Sequence, residues 1–161
     1  MLVRKCWDHS FFFGGGGILK KERTYLGTFL NNKLAMSAHQ SEIGDCILII
    51  TYCNLNQANL ADAKLIKASI QHTTLNNANL HGADLTNSDT YNISLNGADL
   101  SDAIFTGSLL QRASFDGANI TGADFTSTLI QPVRERLKLC DVASGVNPTT
   151  GVVTRDSLGC W

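Results

Sequence analysis

The sequence predicts an all-β solenoid, a chain that coils around one hydrophobic interior and turns a corner every five residues. Three observations predict it. A large apolar residue stands at every position divisible by five from Leu55 to Ile130, with Thr90 the exception. A small residue, usually alanine, sits two places before it. The beat does not slip over sixteen consecutive units, and reads most clearly as Ala-Asn-Leu-His-Gly-Ala-Asp-Leu from Ala78 to Leu85. Such a fixed period dictates architecture before any other signal is read. Neither the helical period of about 3.6 nor the strand period of about 2 yields five. Two inward and three outward positions per unit fit a coil with a corner in each unit. Four faces then close a turn of about twenty residues, and successive turns stack at the β-strand spacing of about 4.8 Å.

These units resemble the pentapeptide-repeat family, whose consensus is Ala-Asp/Asn-Leu-X-X. The resemblance covers residues 53–130, about half the chain. It implies a right-handed quadrilateral β-helix of about four stacked coils. The period alone fixes neither the handedness nor the square section.

Taken in order, residues 1–45 form an N-terminal segment that departs from the pattern. Gly14–Gly17 follow three phenylalanines, and four glycines are costly to order, so a mobile N-terminus holding Cys6 is expected. A helix within Ile18–Ala38 would place Tyr25, Phe29 and Leu30 on one side. Lys20, Lys21, Arg23 and Ala35–Ala38 mimic the ends of a secretory signal, but Asn31, Asn32 and Lys33 break the apolar run between them. The segment therefore reads as a cap or a degraded targeting sequence.

Residues 46–130 are the coil. Sorted by twenty, the large residues stack in four files. The first is Leu55, Leu75, Leu95 and Phe115; the second is Leu60, Leu80, Leu100 and Ile120. The third is Leu65, Leu85, Phe105 and Phe125; the fourth is Ile70, Thr90, Leu110 and Ile130. The preceding small positions are alanine throughout the second and third faces. They are irregular on the first (Cys53, Thr73, Ile93, Ala113) and mostly small and polar on the fourth. Thr90 and Ile93 are the irregular core positions. A backbone carbonyl partner or a bulge is expected at Thr90, because an unpaired buried hydroxyl costs about 1–3 kcal/mol.

Residues 131–161 read as a helical C-terminal cap. An open solenoid end exposes apolar interior and needs covering. Residues 131–140 look helical, with Pro132 in the first turn. Val133, Leu137 and Cys140 share one face, suited to covering the last turn. Leu109 and Leu129, nominally outward, are expected to mark where the cap folds back over a side of the coil. Asn147–Gly151 is a turn signal, and Thr154–Leu158 with Gly159 a short helix. Leu139–Pro148 and Thr154–Cys160 also resemble the C-terminal extension of cyanobacterial and plant thylakoid-lumen pentapeptide proteins. That resemblance implies two short helices and a disulfide between Cys140 and Cys160. A disulfide in turn implies an oxidising compartment, the thylakoid lumen or a periplasm. Free thiols in the cytoplasm stay open as the other reading, because no clear signal peptide is legible.

Little chemistry is expected. Net charge is −1, so bulk electrostatics call for neither nucleic acid nor an anionic membrane. No apolar run is long enough for a membrane span. Residues 53–130 carry seven aspartates against Lys64, Lys67 and Arg112, a net of −4. His72 and His81 fall at different corners and do not converge like zinc ligands. No serine has a visible histidine base. No catalytic, cofactor-binding or metal-binding residue is assigned, and no cofactor or small-molecule substrate is expected. The reading is a non-enzymatic structural or protein-interaction scaffold with an unknown protein partner and no nucleic acid. The alternative is a DNA-mimicking binder of a type II topoisomerase, the role of some acidic members of the family.

Overall fold

The computed structural model describes residues 2–8, 21–27, 29–30, 33–34 and 46–161, with side chains from Leu48 onward. Four strands precede the coil: β1 (Leu2–Asp8), β2 (Lys21–Gly27), β3 (Phe29–Leu30) and β4 (Lys33–Leu34). β5 (Cys46–Ile49) leads into it. β1 is the centre of a sheet ordered β2-β1-β5, and both of its pairings are antiparallel. The helix expected within Ile18–Ala38 is therefore replaced by strands. Thr24 and Tyr25 are strand formers, and β1 offers β2 a seven-residue ladder from Leu2–Gly27 to Asp8–Lys21. Cys6, expected in a mobile segment, lies in β1. The run Gly14–Gly17 lies outside the described residues, as do His9 and His39.

From Ile49 to Leu129 the chain is built from parallel bridges between residues twenty apart. Asn54, Thr74, Ser94 and Ser114 form one file; Asn59, Asn79, Asp99 and Asn119 form the next. Lys64, Asp84, Ile104 and Asp124 make the third, and Ile49, Ser69, Asp89 and Leu109 the fourth. On the fourth face the pairing lengthens into two short strands, β6 (Leu109–Gln111) and β7 (Leu129–Gln131). The backbone bonds run along the stack, as in Leu55 N–H to Thr74 O (2.7 Å) and Asn79 N–H to Ala58 O (2.9 Å).

Each corner uses a residue with positive φ two places after the large one. That geometry favours Gly, Asn or Asp. At the corner after the second face the occupants are Asp62, Gly82, Asp102 and Gly122. Glycine has a second reason here: a Cβ on Gly82 or Gly122 would meet the aspartate of the turn before. Where Asn or Asp precedes the large residue, its side chain caps the following corner. Asp84 Oδ1 accepts the Thr86 N–H (3.1 Å) and hydroxyl (2.7 Å); Asp99 does the same for Ser101.

The interior is one apolar column from Leu48 to Ile130. Leu55, Leu60, Leu65, Leu80, Leu85, Leu100, Phe105, Phe115 and Phe125 are all buried within it. Phe105 and Phe125 stack with ring centroids 5.2 Å apart. Thr90 and Ile93 are also buried, and the Thr90 hydroxyl donates to Leu109 O at 2.8 Å.

Two helices close the far end, α1 (Val133–Val142) and α2 (Thr154–Ser157). Of the expected face of α1, only Cys140 packs against the core. Val133 and Leu137 are each 56% exposed, whereas Glu135 and Leu139 are buried. The orientation follows from how α1 is tied down. Cys140 is bonded to Cys160, and Arg136 donates to Leu158 O at 2.7 Å. These ties bring Leu139 and Leu158 onto the end of the apolar column. The cap does not fold back over the side of the coil either: Leu109 and Leu129 stand paired in β6 and β7 and stay exposed.

Candidate interaction surface

The four corners are not equivalent. On three of them a bond from the small residue's N–H to the preceding large residue's carbonyl closes each turn at 2.9–3.1 Å, as in Ala83 N–H to Leu80 O at 3.0 Å. At the corner between the fourth and first faces, Thr73 and Ile93 make no such bond among the described residues, and Ala113 makes one of 3.4 Å. Bulk at the small inward position does not account for this alone: Thr128 closes its turn at 3.0 Å, whereas Ala113 closes only at 3.4 Å. Thr73 compensates with its hydroxyl, which donates to Ile50 O at 2.9 Å. Cys53, at the same position one turn earlier, is half-buried, and its thiol donates to Thr51 O at 3.3 Å.

The opened corner carries a ladder found on none of the other three. Its positive-φ residues are Tyr52, His72, Asn92 and Arg112. Tyr52 stacks on His72 with centroids 4.7 Å apart and planes within 3°. Tyr91 meets the His72 ring edge-on at 5.5 Å, and the Arg112 guanidinium lies 5.6 Å from the Tyr91 centroid. Asn92 Nδ2 and His72 Nδ1 are 3.0 Å apart. Tyr52 is 79% exposed, and exposed Leu109 and Leu129 border the ladder on the fourth face. Beyond Arg112 the surface opens into a groove of about 490 Å³ shared with Pro132 and Arg134. The positive φ of these residues is shared by every corner of the coil, so the ring stacking, not the backbone, sets this corner apart. Sequence reasoning sorted the inward positions by twenty and missed this ladder; the same sorting of positions 52, 72, 92 and 112 exposes it.

Asp89 caps this corner by accepting the Tyr91 N–H at 3.3 Å, and Asp116 and Glu135 line the groove, but other acidic groups cluster elsewhere. Asp62, Asp84, Asp99, Asp102 and Asp124 belong to the second and third faces and the corner between them. Asp124 is buried. Burial alone would raise its pKa, but hydrogen bonds from the Thr126 hydroxyl and N–H, Thr150 and Thr106 hold the carboxyl below its ordinary value. Asp99 is lowered in the same way: burial opposes, and Ser101, His81 and Asn119 outweigh it. Lys64 pairs with Asp84 at 3.7 Å.

One serine does have a histidine beside it, contrary to expectation. Ser101 Oγ lies 2.9 Å from His81 Nδ1. The Ser101 hydroxyl, however, donates to Asp99 Oδ1 at 2.7 Å, so its proton faces a carboxylate rather than the imidazole. The Asp102 carboxylate approaches the same ring nitrogen as the serine, at 4.0 Å, so the order nucleophile, base, orienting acid is not assembled. No cluster of His, Cys, Asp or Glu fit to hold a metal occurs among the described residues, where His72 and His81 occupy different corners.

The capped end replaces the turn that is not there. Gly122 N–H donates to Ser144 O (2.8 Å), and Phe125 N–H donates to Ser157 Oγ (3.0 Å). Asn147, fully buried, donates from Nδ2 to Asp102 O (3.0 Å) and Gly122 O (2.9 Å). Its Oδ1 accepts the N–H groups of Thr149 and Thr150. Cys140 and Cys160 are joined, with Cα atoms 5.6 Å apart.

A family model for pentapeptide repeats matches in eight copies over residues 52–89 and 93–130. A solved pentapeptide-repeat protein from the Arabidopsis thaliana thylakoid lumen is 36% identical, over 67% of this chain and 88% of that one, with a TM-score of 0.49. The chain belongs to the pentapeptide-repeat family. Members of the family adopt a right-handed β-helix. Rfr23 from the cyanobacterium Cyanothece 51142 is 27% identical over 52% of this pentapeptide-repeat protein and 60% of that chain, with a TM-score of 0.37. The plasmid-mediated fluoroquinolone resistance protein QnrB1 is 18% identical over 51% and 48%, with a TM-score of 0.22. No curated protein matches the chain. None of the matches indicates an enzyme family, and no helix among the described residues is long and apolar enough to cross a membrane.

Proposed function

We propose that this pentapeptide-repeat protein is a non-enzymatic scaffold of about four coils that holds a protein partner along the corner bearing Tyr52, His72, Tyr91 and Arg112. The observation that carries the reading is the ladder itself. It concentrates exposed aromatic and cationic surface where the corner bonds are weakest. Tyrosine and arginine are the residue types that most often anchor protein interfaces. The proposed setting is an oxidising compartment, the thylakoid lumen or a periplasm. The Cys140–Cys160 bond and the likeness to a lumen protein support that setting.

Affinity capture from lumen or periplasm with the disulfide-intact protein, beside a Tyr91→Ser/Arg112→Ser variant, tests the reading. A partner held equally by both would remove the ladder from it. The topoisomerase alternative needs a continuous exposed carboxylate run. The buried Asp124 and the Lys64–Asp84 pair interrupt that run, which favours the scaffold. A gyrase supercoiling assay at micromolar protein is expected to show no inhibition; strong inhibition would reverse the preference.

A further inference from the structure

Two cysteines outside the cap meet in the register of the N-terminal sheet. β1 and β5 run antiparallel with Val3 opposite Ile49, Arg4 opposite Leu48, Lys5 opposite Ile47 and Cys6 opposite Cys46. We propose that Cys6 and Cys46 form a second disulfide, which ties the N-terminal sheet to the start of the coil.

Backbone spacing supports the pairing. Residues directly opposite one another in an antiparallel pair have Cα atoms about 4.5 or about 5.5 Å apart, depending on their hydrogen-bonding class. Both values lie within the span of about 4.4–6.8 Å that a disulfide bridges. The Cys140–Cys160 bond of this chain uses 5.6 Å. The register of β1 is set on two sides, because it pairs with β2 from Leu2–Gly27 to Asp8–Lys21 while it pairs with β5. A slip that separated the two cysteines would have to break the β1–β5 ladder. The position is also consequential. Cys46 opens β5, and Ile50 just after that strand donates its N–H to Ser69 O of the next turn at 2.7 Å. A bond at Cys46 is thus passed directly to the stack.

The chemistry is thiol–disulfide exchange. Each thiol gives up its proton, one S–S bond forms, and the two electrons pass to a disulfide oxidant, whose own S–S bond is broken to two thiols. A small-molecule disulfide or a disulfide-exchange protein supplies that oxidant in an oxidising compartment. The result is one covalent staple at each end of the solenoid, where a stack of turns otherwise frays. The inference rests on the sheet register and is independent of the partner and of the ladder.

Peptide mapping tests it. The full-length protein is folded in a glutathione redox buffer, denatured without reductant, alkylated, digested and analysed by mass spectrometry. The expected result is a peptide carrying Cys6 linked to one carrying Cys46, beside the Cys140–Cys160 link. Alkylated Cys6 or Cys46 in molecules whose Cys140–Cys160 bond is intact would overturn the proposal, and so would a link from either to Cys53. The C-terminal bond serves as the internal control that conditions were oxidising. In a Cys6→Ser variant, one additional alkylated thiol is expected, at Cys46; no gain would contradict the pairing.

Discussion

Thr90 and Ile93 exchange volume. The large inward position has lost carbon atoms to threonine, and the small position three residues later has gained them as isoleucine, with both side chains buried. The Thr90 hydroxyl and the Thr90 N–H both donate to Leu109 O, so the carbonyl keeps a partner if the hydroxyl is removed. Thr90→Leu alone therefore overfills a packed interior and is expected to leave the melting temperature unchanged or lower. Thr90→Leu with Ile93→Ala restores the family pattern and is expected to raise it. A single variant as stable as the double would show that the two sites do not share space. Gly145 is a second decisive position. Its φ is +85°, and a Cβ would lie 2.8 Å from the Gly122 backbone nitrogen. Gly145→Ala is expected to cost on the order of 1–3 kcal/mol, read as a fall in denaturation midpoint. Asp124 sets a pH dependence. Its folded pKa is depressed, so its stabilisation is complete above the unfolded carboxylate value near 3.9 and is lost as pH falls through the lower folded value. Asp124→Asn is expected to flatten the loss of stability below about pH 4; an unchanged acid limb would assign that loss to other carboxylates.

At the scale of elements, the coil was legible and the ends were legible only in outline. The five-residue beat placed the inward files because each large residue has the same task in every turn. The cap offered no such repetition. Its helix positions could be read from Pro132 and Gly159, but the face of α1 could not. Covalent and polar ties from Cys140 and Arg136, rather than the apolar spacing of Val133 and Leu137, rotate it. Asn147 was read as part of a turn; its side chain also takes two coil carbonyls, which no local pattern signals. Upstream, the expected helix gave way to β1 and β2 because pairing between distant segments overrode a local apolar grouping. The Cys140–Cys160 loop spans twenty residues. Its loss in a Cys140→Ser/Cys160→Ser variant is expected to cost about 3 kcal/mol in the chain-entropy model. A fall in melting temperature of roughly 6–12 °C would report that cost. No fall would mean that Leu139 and Leu158 hold the cap unaided.

For the whole molecule, every turn rests on its neighbours, so damage at one turn is felt along the stack. Leu85 lies fully buried in the third file, between Leu65 and Phe105. Leu85→Asp would bury an unpaired charge and is expected to abolish cooperative unfolding. The same continuity makes one long corner available to a partner, and among the described residues only that corner stacks aromatic and cationic side chains from turn to turn. Opening that corner costs three turn-closing bonds or strained versions of them, and the other corners show that the sequence can close them. The direct measurement is side-by-side affinity capture from thylakoid-lumen or periplasmic extract, with the disulfide-intact protein and Tyr91→Ser/Arg112→Ser of matched melting temperature. A protein retained by the first and lost by the second is the predicted result. Equal retention, or capture of nothing by either, would contradict it.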